Sequence, residues 1–236
     1  MKKIVALLVL TILFSCKEDK EARKPVKQVT VEENLTDMGK NLGKYVPFKL
    51  TSDLSVLTDN ERKMLPLLIN AADKMNALFW FESYGDREVL MAKIPNEDTK
   101  KFVEINYGPW DRLDGNKPFV EGIGEKPLGA NYYPVDMTKD EFEAFSSDNK
   151  SSLYTFIRRN DDGSLKTIWY HEQFESQVKE VSDLLLEASK LADNAGLKNY
   201  LELRAKAFLD DEYQASDLAW MDMKTNTLDI VIGPIE

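Results

Sequence analysis

From Met64 to Phe79 the apolar residues Met64, Leu65, Leu68, Ala71, Ala72, Met75, Leu78 and Phe79 recur every three or four positions, the period that lays one stripe along an α-helix. Thr58-Asp59-Asn60-Glu61 heads this run. A Thr and a Glu three residues apart satisfy each other's orphan backbone donors in a capping box, so the helix is expected to begin there. Pro66 falls inside the run, lacks an N–H, and is expected to kink the helix. The same period predicts a helix over about Glu97–Tyr107, closed by Gly108-Pro109. It predicts two more over Gln173–Ala192 and Leu197–Leu209, the first with Val178, Val181, Leu184, Leu185, Ala188 and Leu191 on one face. A second capping box, Thr138-Lys139-Asp140-Glu141, opens a short helix through Phe145.

Elsewhere the period shortens to two. Ser152–Arg159, the turn N-D-D-G and Leu165–Tyr170 together read as a β-hairpin. Between Trp110 and Pro134 short apolar pieces alternate with Gly, Pro, Asn and Asp, and Asp114-Gly115 is a strong hairpin turn signal. Thr227–Ile232 reads as a strand; Val231-Ile232, without polar alternation, is expected to be buried on both faces. The fold class is therefore α+β and helix-rich, with the folded part running from about residue 34 to 236.

The N-terminus has a different character. Lys2 and Lys3 precede the apolar run Ile4–Phe14, which is too short to span a bilayer as a helix and reads as a secretory signal over residues 1–15. Leu13-Phe14-Ser15-Cys16 resembles a bacterial lipobox, and Cys16 is the single cysteine of the chain. One cysteine cannot form an internal disulfide, so Cys16 is expected to carry a diacylglycerol anchor and to hold the protein at a bacterial outer membrane, facing either the periplasm or the outside. Residues 16–33, the modified cysteine and a Lys/Glu-rich stretch with Pro25, read as a flexible tether. Lys17–Glu21 within it fits a surface-export tag and a plain solvated linker equally.

Charge removes one class of partner. The formal net charge is −10 and no basic stripe is present, so nucleic acid is excluded. Metal chemistry lacks ligands: zinc sites draw on His, Cys and carboxylates, and this chain has one His, His171, and a Cys already assigned to lipid. His171 reads as a surface or helix-end residue, with a ligand role as the lesser alternative. There is no H-E-x-x-H and no G-x-S-x-G elbow, and Gly122-Ile123-Gly124 has no third glycine or helix to support a dinucleotide site. The densest unusual stretch, Asp210–Met223, combines aromatics, methionines and carboxylates. It reads either as a core cluster with capping acids or as the wall of a substrate groove.

Several longer motifs occur in series: L-F-W-F-E-S-Y-G-D at Leu78–Asp86, Y-G-P-W-D-R-L-D-G-N-K-P-F at Tyr107–Phe119, G-A-N-Y-Y-P-V-D-M-T-K-D-E-F-E at Gly129–Glu143, Y-Q-A-S-D-L-A-W-M-D-M, and I-V-I-G-P-I-E at the end. The series resembles the N-terminal part of bacterial dipeptidyl-peptidase III zinc metallopeptidases. The resemblance implies part of a two-lobed enzyme whose barrel-containing lobe includes the hairpins. It implies that Glu236 matches a glutamate in I-E-[ST]-Y that holds the free amino terminus of a peptide substrate. It also implies zinc in the full-length family, bound by H-E-x-x-G-H and a further glutamate helix, none of which is present here. The chain is therefore expected to be an N-terminal fragment of a membrane-anchored dipeptidyl-peptidase, inactive alone, with no catalytic residue or metal ligand of its own. Completion by a C-terminal segment is expected to restore peptide binding and cleavage. The alternative is a stand-alone, non-catalytic surface lipoprotein that binds peptides or a partner protein.

Overall fold

A computed structural model of the chain describes residues 37–234; Cys16, the tether and Glu236 lie outside the described residues. In chain order the elements are α1 (Asp37–Leu42), a 3₁₀ turn (Leu54–Val56), α2 (Asp59–Ser83), α3 (Arg87–Ala92), α4 (Glu97–Asn106), β1 (Trp110–Asp111) and β2 (Lys117–Pro118). There follow α5 (Lys139–Ala144), β3 (Thr155–Arg159), β4 (Leu165–Trp169), α6 (Tyr170–Gln173), α7 (Glu175–Ser189), α8 (Ala195–Asp210) and α9 (Gln214–Asp222). The fold is helix-rich α+β. Its strands pair as two separate antiparallel hairpins, β1–β2 and β3–β4, with Phe156 opposite Ile168 in the second.

The capping box forms as expected at the head of α2: Glu61 N donates to Thr58 Oγ1 (3.1 Å) and Thr58 N donates to Glu61 Oε2 (2.8 Å). Thr58 Oγ1 and Asn60 Nδ2 also donate to Asp193 (2.6 and 2.9 Å), tying this end of α2 to the α7–α8 turn. These two bonds hold the Asp193 carboxyl below its ordinary pKa. α2 continues unbroken through Pro66, which costs it the bond to the Arg62 carbonyl.

The second box forms only in half. Thr138 Oγ1 accepts from Glu141 N, but the Glu141 carboxylate takes a bidentate bond from Arg159 (2.6 and 2.9 Å) rather than returning to its own N-cap. A guanidinium on β3 competes better for the carboxylate than one backbone amide does. The single helix expected over Gln173–Ala192 starts earlier and is interrupted at Phe174, where φ is −116°. Phe174 is buried edge-on against Phe81 and Phe156, with centroids 5.4 and 5.7 Å away. Seating that ring takes precedence over helix continuity.

The main core lies between α2, α7 and α8. It is closed below by Phe156 and Tyr170 and above by Tyr213, and Met64, Val181, Leu185, Tyr200, Leu201 and Phe208 are all fully enclosed. A second, smaller cluster packs Trp80, Leu90, Ile94 and Val103 on the other side of α2. α2 is thus the shared wall of both.

The expected strand at Thr227–Ile232 is corrected. These residues form no ladder with any described strand, and they are not buried on both faces. Leu228, Ile230 and Ile232 turn inward, the last only 5% exposed, while Asp229 and Val231 turn out, Val231 to 73%. The segment lies along α8 and α9 with one face on the core. Helices buried that face, so no neighbouring strand was needed.

Candidate functional site

A cavity of about 270 Å³ opens where α2, the end of α4 and the C-terminal segment meet. α2 contributes Ala72, Met75, Asn76, Phe79 and Glu82, spaced so that all five lie along one helical face. Tyr107 closes one side and Gly233 and Pro234 the other. Glu236, the residue expected to bind substrate, follows two positions after Pro234 and lies outside the described residues.

Tyr107 is held by four contacts. It ends α4 in the left-handed region at φ 52°, and its carbonyl accepts from Ser83 Oγ (2.9 Å). Its hydroxyl donates to Asn76 Oδ1 (2.6 Å), and its ring packs edge-on against Phe79 (4.7 Å) and tilted against Trp80 (5.4 Å). Glu82 presents a carboxyl that is 2% exposed at the base of the cavity. The backbone of the same turn is fixed by Asn131, whose N donates to the Glu82 carbonyl (2.9 Å) and whose Nδ2 donates to the Phe81 carbonyl (2.7 Å). A carboxyl beside apolar walls suits a group that joins a positive or donor end to an apolar stem.

The C-terminal wall is positioned by side-chain hydrogen bonds. Trp220 Nε1 donates to Asp229 Oδ1 (2.8 Å), Asn226 Nδ2 to the Leu228 carbonyl (2.8 Å), and Asn194 Nδ2 to Thr225 Oγ1 (3.2 Å). Arg204 is buried between Tyr200 and Tyr213, with its guanidinium 5.3 and 5.1 Å from their rings, and pairs with Asp217. A Cβ at Gly233 would stand 3.7 Å from its Nη1, so the main chain runs directly past the guanidinium. Burial raises the Tyr200 and Tyr213 hydroxyl pKa values above the ordinary phenol value, so both remain neutral.

The Asp210–Met223 stretch is in part the core cluster that its composition suggested, and none of its residues lines the cavity. Tyr213, Ser216 and Ala219 are core, whereas Leu218, Trp220 and Met221 face outward, and Trp220 also holds the segment that walls the cavity. His171 lies in the short helix α6, a helix-end position as expected, but it is not without a partner. Its Nδ1 lies 2.8 Å from Oδ2 of buried Asp211, and its backbone N also donates to that oxygen (3.2 Å). Burial raises the Asp211 carboxyl above its usual pKa, and the His171 bonds work against that rise. Asn76, Glu82 and Tyr107 were not singled out by sequence. The readable signal for Glu82 was its register: 71, 75, 78 and 82 continue one apolar stripe, and a glutamate breaks it. Among the described residues no group of three His, Cys, Asp or Glu side chains is placed to hold a metal ion. The donor set here does not fit a zinc site.

No family model matches the sequence. The structure is similar to dipeptidyl-peptidase III from Caldithrix abyssi, with a TM-score of 0.77 and 36% identity over 82% of this chain and 39% of that one. It is also similar to dipeptidyl-peptidase III from Corallococcus sp. strain EGB, with a TM-score of 0.73 and 29% identity over 80% of this chain and 37% of that one. In sequence, Nudix hydrolase 3 of Arabidopsis thaliana is 28% identical, over 89% of this chain and 35% of its own length. The chain spans well under half of each protein it matches. The described residues share their fold with part of dipeptidyl-peptidase III.

Proposed function

We propose that this chain supplies one substrate-binding wall of a dipeptidyl-peptidase III-like hydrolase, anchored to a bacterial outer membrane by lipid on Cys16. The observation that carries the reading is the cavity between α2 and Gly233-Pro234, in a fold shared with two dipeptidyl-peptidases III. The N-terminal residue of a peptide would lodge its apolar part against Met75 and Phe79. Its ammonium would meet the carboxylate of Glu236, with the Glu82 carboxyl offering a further hydrogen-bond acceptor below. Zinc, which the family resemblance implies for full-length members, would have to come with residues outside this set, and the chain alone is expected to release no dipeptides.

Binding of a short apolar peptide to the purified full chain tests the reading. A free amino terminus should bind more tightly than the N-acetylated form by about ten-fold, the 1.4 kcal/mol scale of one charge-assisted contact. Glu236→Gln should erase the difference, and Phe79→Ala should weaken both peptides equally. Equal binding of the two peptides to the unaltered chain would remove the reading. The anchor is tested separately: Cys16→Ala should abolish fatty-acid labelling and membrane fractionation, and membrane retention without any label on the natural chain would exclude it.

A further inference from the structure

The wall that α2 gives to the cavity is apolar except at two positions, Asn76 and Glu82. Asparagine is a poor helix former, yet Asn76 stands well inside a 25-residue helix. Its side chain does not turn back to the helix backbone. The Tyr107 hydroxyl donates to Asn76 Oδ1 (2.6 Å), and among the described residues the amide makes no other hydrogen bond. Tyr107 is itself in the unfavourable left-handed region, at φ 52°. Two residues that each cost the local structure something therefore meet in one bond, beside the cavity that both line.

The bond is not needed to fasten α4 to α2. Ser83 Oγ already holds the Tyr107 carbonyl (2.9 Å), and the Tyr107 ring packs on Phe79 and Trp80. What the bond adds is orientation. An amide side chain has one acceptor end and one donor end. With Oδ1 committed to a hydroxyl that donates, Nδ2 carries two N–H groups that no described residue accepts. The cavity thus offers an oriented donor at Asn76 and a carboxyl at Glu82. They stand six positions apart on one helix, a rise of about 9 Å. A hydrogen bond of about 2.9 Å at each end leaves between them the length of one residue of extended main chain, about 3.4 Å.

We infer that Asn76 is a substrate-binding residue that donates from Nδ2 to the carbonyl of a peptide's first residue, and that Tyr107 is the positioning residue that holds the amide in that orientation. This rests on the proposed function for the ligand being a peptide with its amino terminus at the carboxyl end of the cavity, and not on Glu236. It narrows the ligand class to amines with an acceptor one residue from the amino group, which excludes simple alkylamines.

The experiment uses the purified full chain, a short apolar peptide with a free amino terminus, and an analogue of that peptide. In the analogue a trans carbon–carbon double bond replaces the first peptide bond, which keeps the shape and removes the carbonyl. The natural chain should bind the peptide about five-fold more tightly than the analogue, the scale of one neutral hydrogen bond. In Asn76→Leu the two ligands should bind equally. In Tyr107→Phe, which keeps the ring and loses the hydroxyl, the preference should shrink to about two-fold, because the amide is free to turn.

A bond that only joined the two helices would lower the melting temperature of both variants and leave the preference as it is in the natural chain. That result overturns the inference. So does equal binding of the two ligands to the natural chain, or no binding of either. A preference for the free over the acetylated peptide without any preference for the carbonyl would keep the proposed function and overturn the inference. If acetylation changes nothing while the carbonyl preference is present and depends on Asn76, the inference stands and the proposed function is removed instead.

Discussion

The two stretches around Val46–Leu50 and Leu228–Ile232 have nearly the same hydrophobic pattern and opposite fates. Each has a large apolar residue at every second position (Val46, Phe48 and Leu50; Leu228, Ile230 and Ile232), and neither pairs with a described strand. In the C-terminal stretch every second side chain is driven into the helical core, and Trp220, Asn226 and Arg204 fix its path. In the N-terminal stretch nothing is buried between Tyr45 and Leu57. Alternation in a sequence states which side chains share a face; it does not state whether a surface exists to receive them.

The largest effect that should separate the two is at Ile232, whose side chain is 5% exposed within the core. Ile232→Ala should cost about 2–4 kcal/mol, the usual range for a truncated core aliphatic, read as a lower urea midpoint. A loss below about 0.5 kcal/mol, the level of surface substitutions, would place this segment in the same class as the exposed one. Next comes Thr58→Ala, which removes the N-cap of α2 and its bond to Asp193 together. The expected cost is about 1 kcal/mol, a typical cap contribution, with faster exchange in the first turn of α2.

A smaller effect depends on pH and concerns Asp211, at the hinge into α9. Its folded pKa is raised above the ordinary 3.8 by burial, so the folded chain holds that proton to higher pH than the unfolded chain does. The associated stability is present below 3.8 and is lost as pH rises through the folded pKa. Asp211→Asn keeps a residue that tolerates the left-handed φ of 56° and cannot titrate. The stability of the natural chain minus that of the variant should therefore fall as pH is raised from 3.8. A difference that is flat with pH would show that the folded pKa of Asp211 is not raised. The smallest effect is Phe48→Lys, expected within about 0.5 kcal/mol of zero in the chain alone; a clear destabilisation would mean that this ring is covered.

Much of this fold was legible because its signals are local. The Thr58 box, the α7 and α8 stripes, the Asp114-Gly115 turn and the β3–β4 hairpin depend on residues a few positions apart, and each appears where expected. What escaped is long-range. Glu141 abandons its own N-cap for Arg159, Phe174 interrupts a helix to join Phe81 and Phe156, and the last segment is buried on one face by α8 and α9 rather than sandwiched in a sheet. The cavity was missed for the same reason. Asn76 and Glu82 lie on one face of α2 and Tyr107 ends α4, and only their convergence with Gly233 makes a site. His171 looked solitary because its partner Asp211 lies on another element.

Tyr107 carries a consequence for how such a chain can change over generations. The left-handed position that ends a helix favours glycine, and a side chain with a Cβ costs roughly 1 kcal/mol there. Tyr107 occupies that position with one of the bulkiest side chains, and its ring and hydroxyl form one side of the cavity. Mutation to glycine would ease the turn and remove that side at the same stroke. Selection for a sturdier fold and selection for a shaped cavity therefore pull in opposite directions on one codon. Drift at position 107 measures which of the two a lineage still needs.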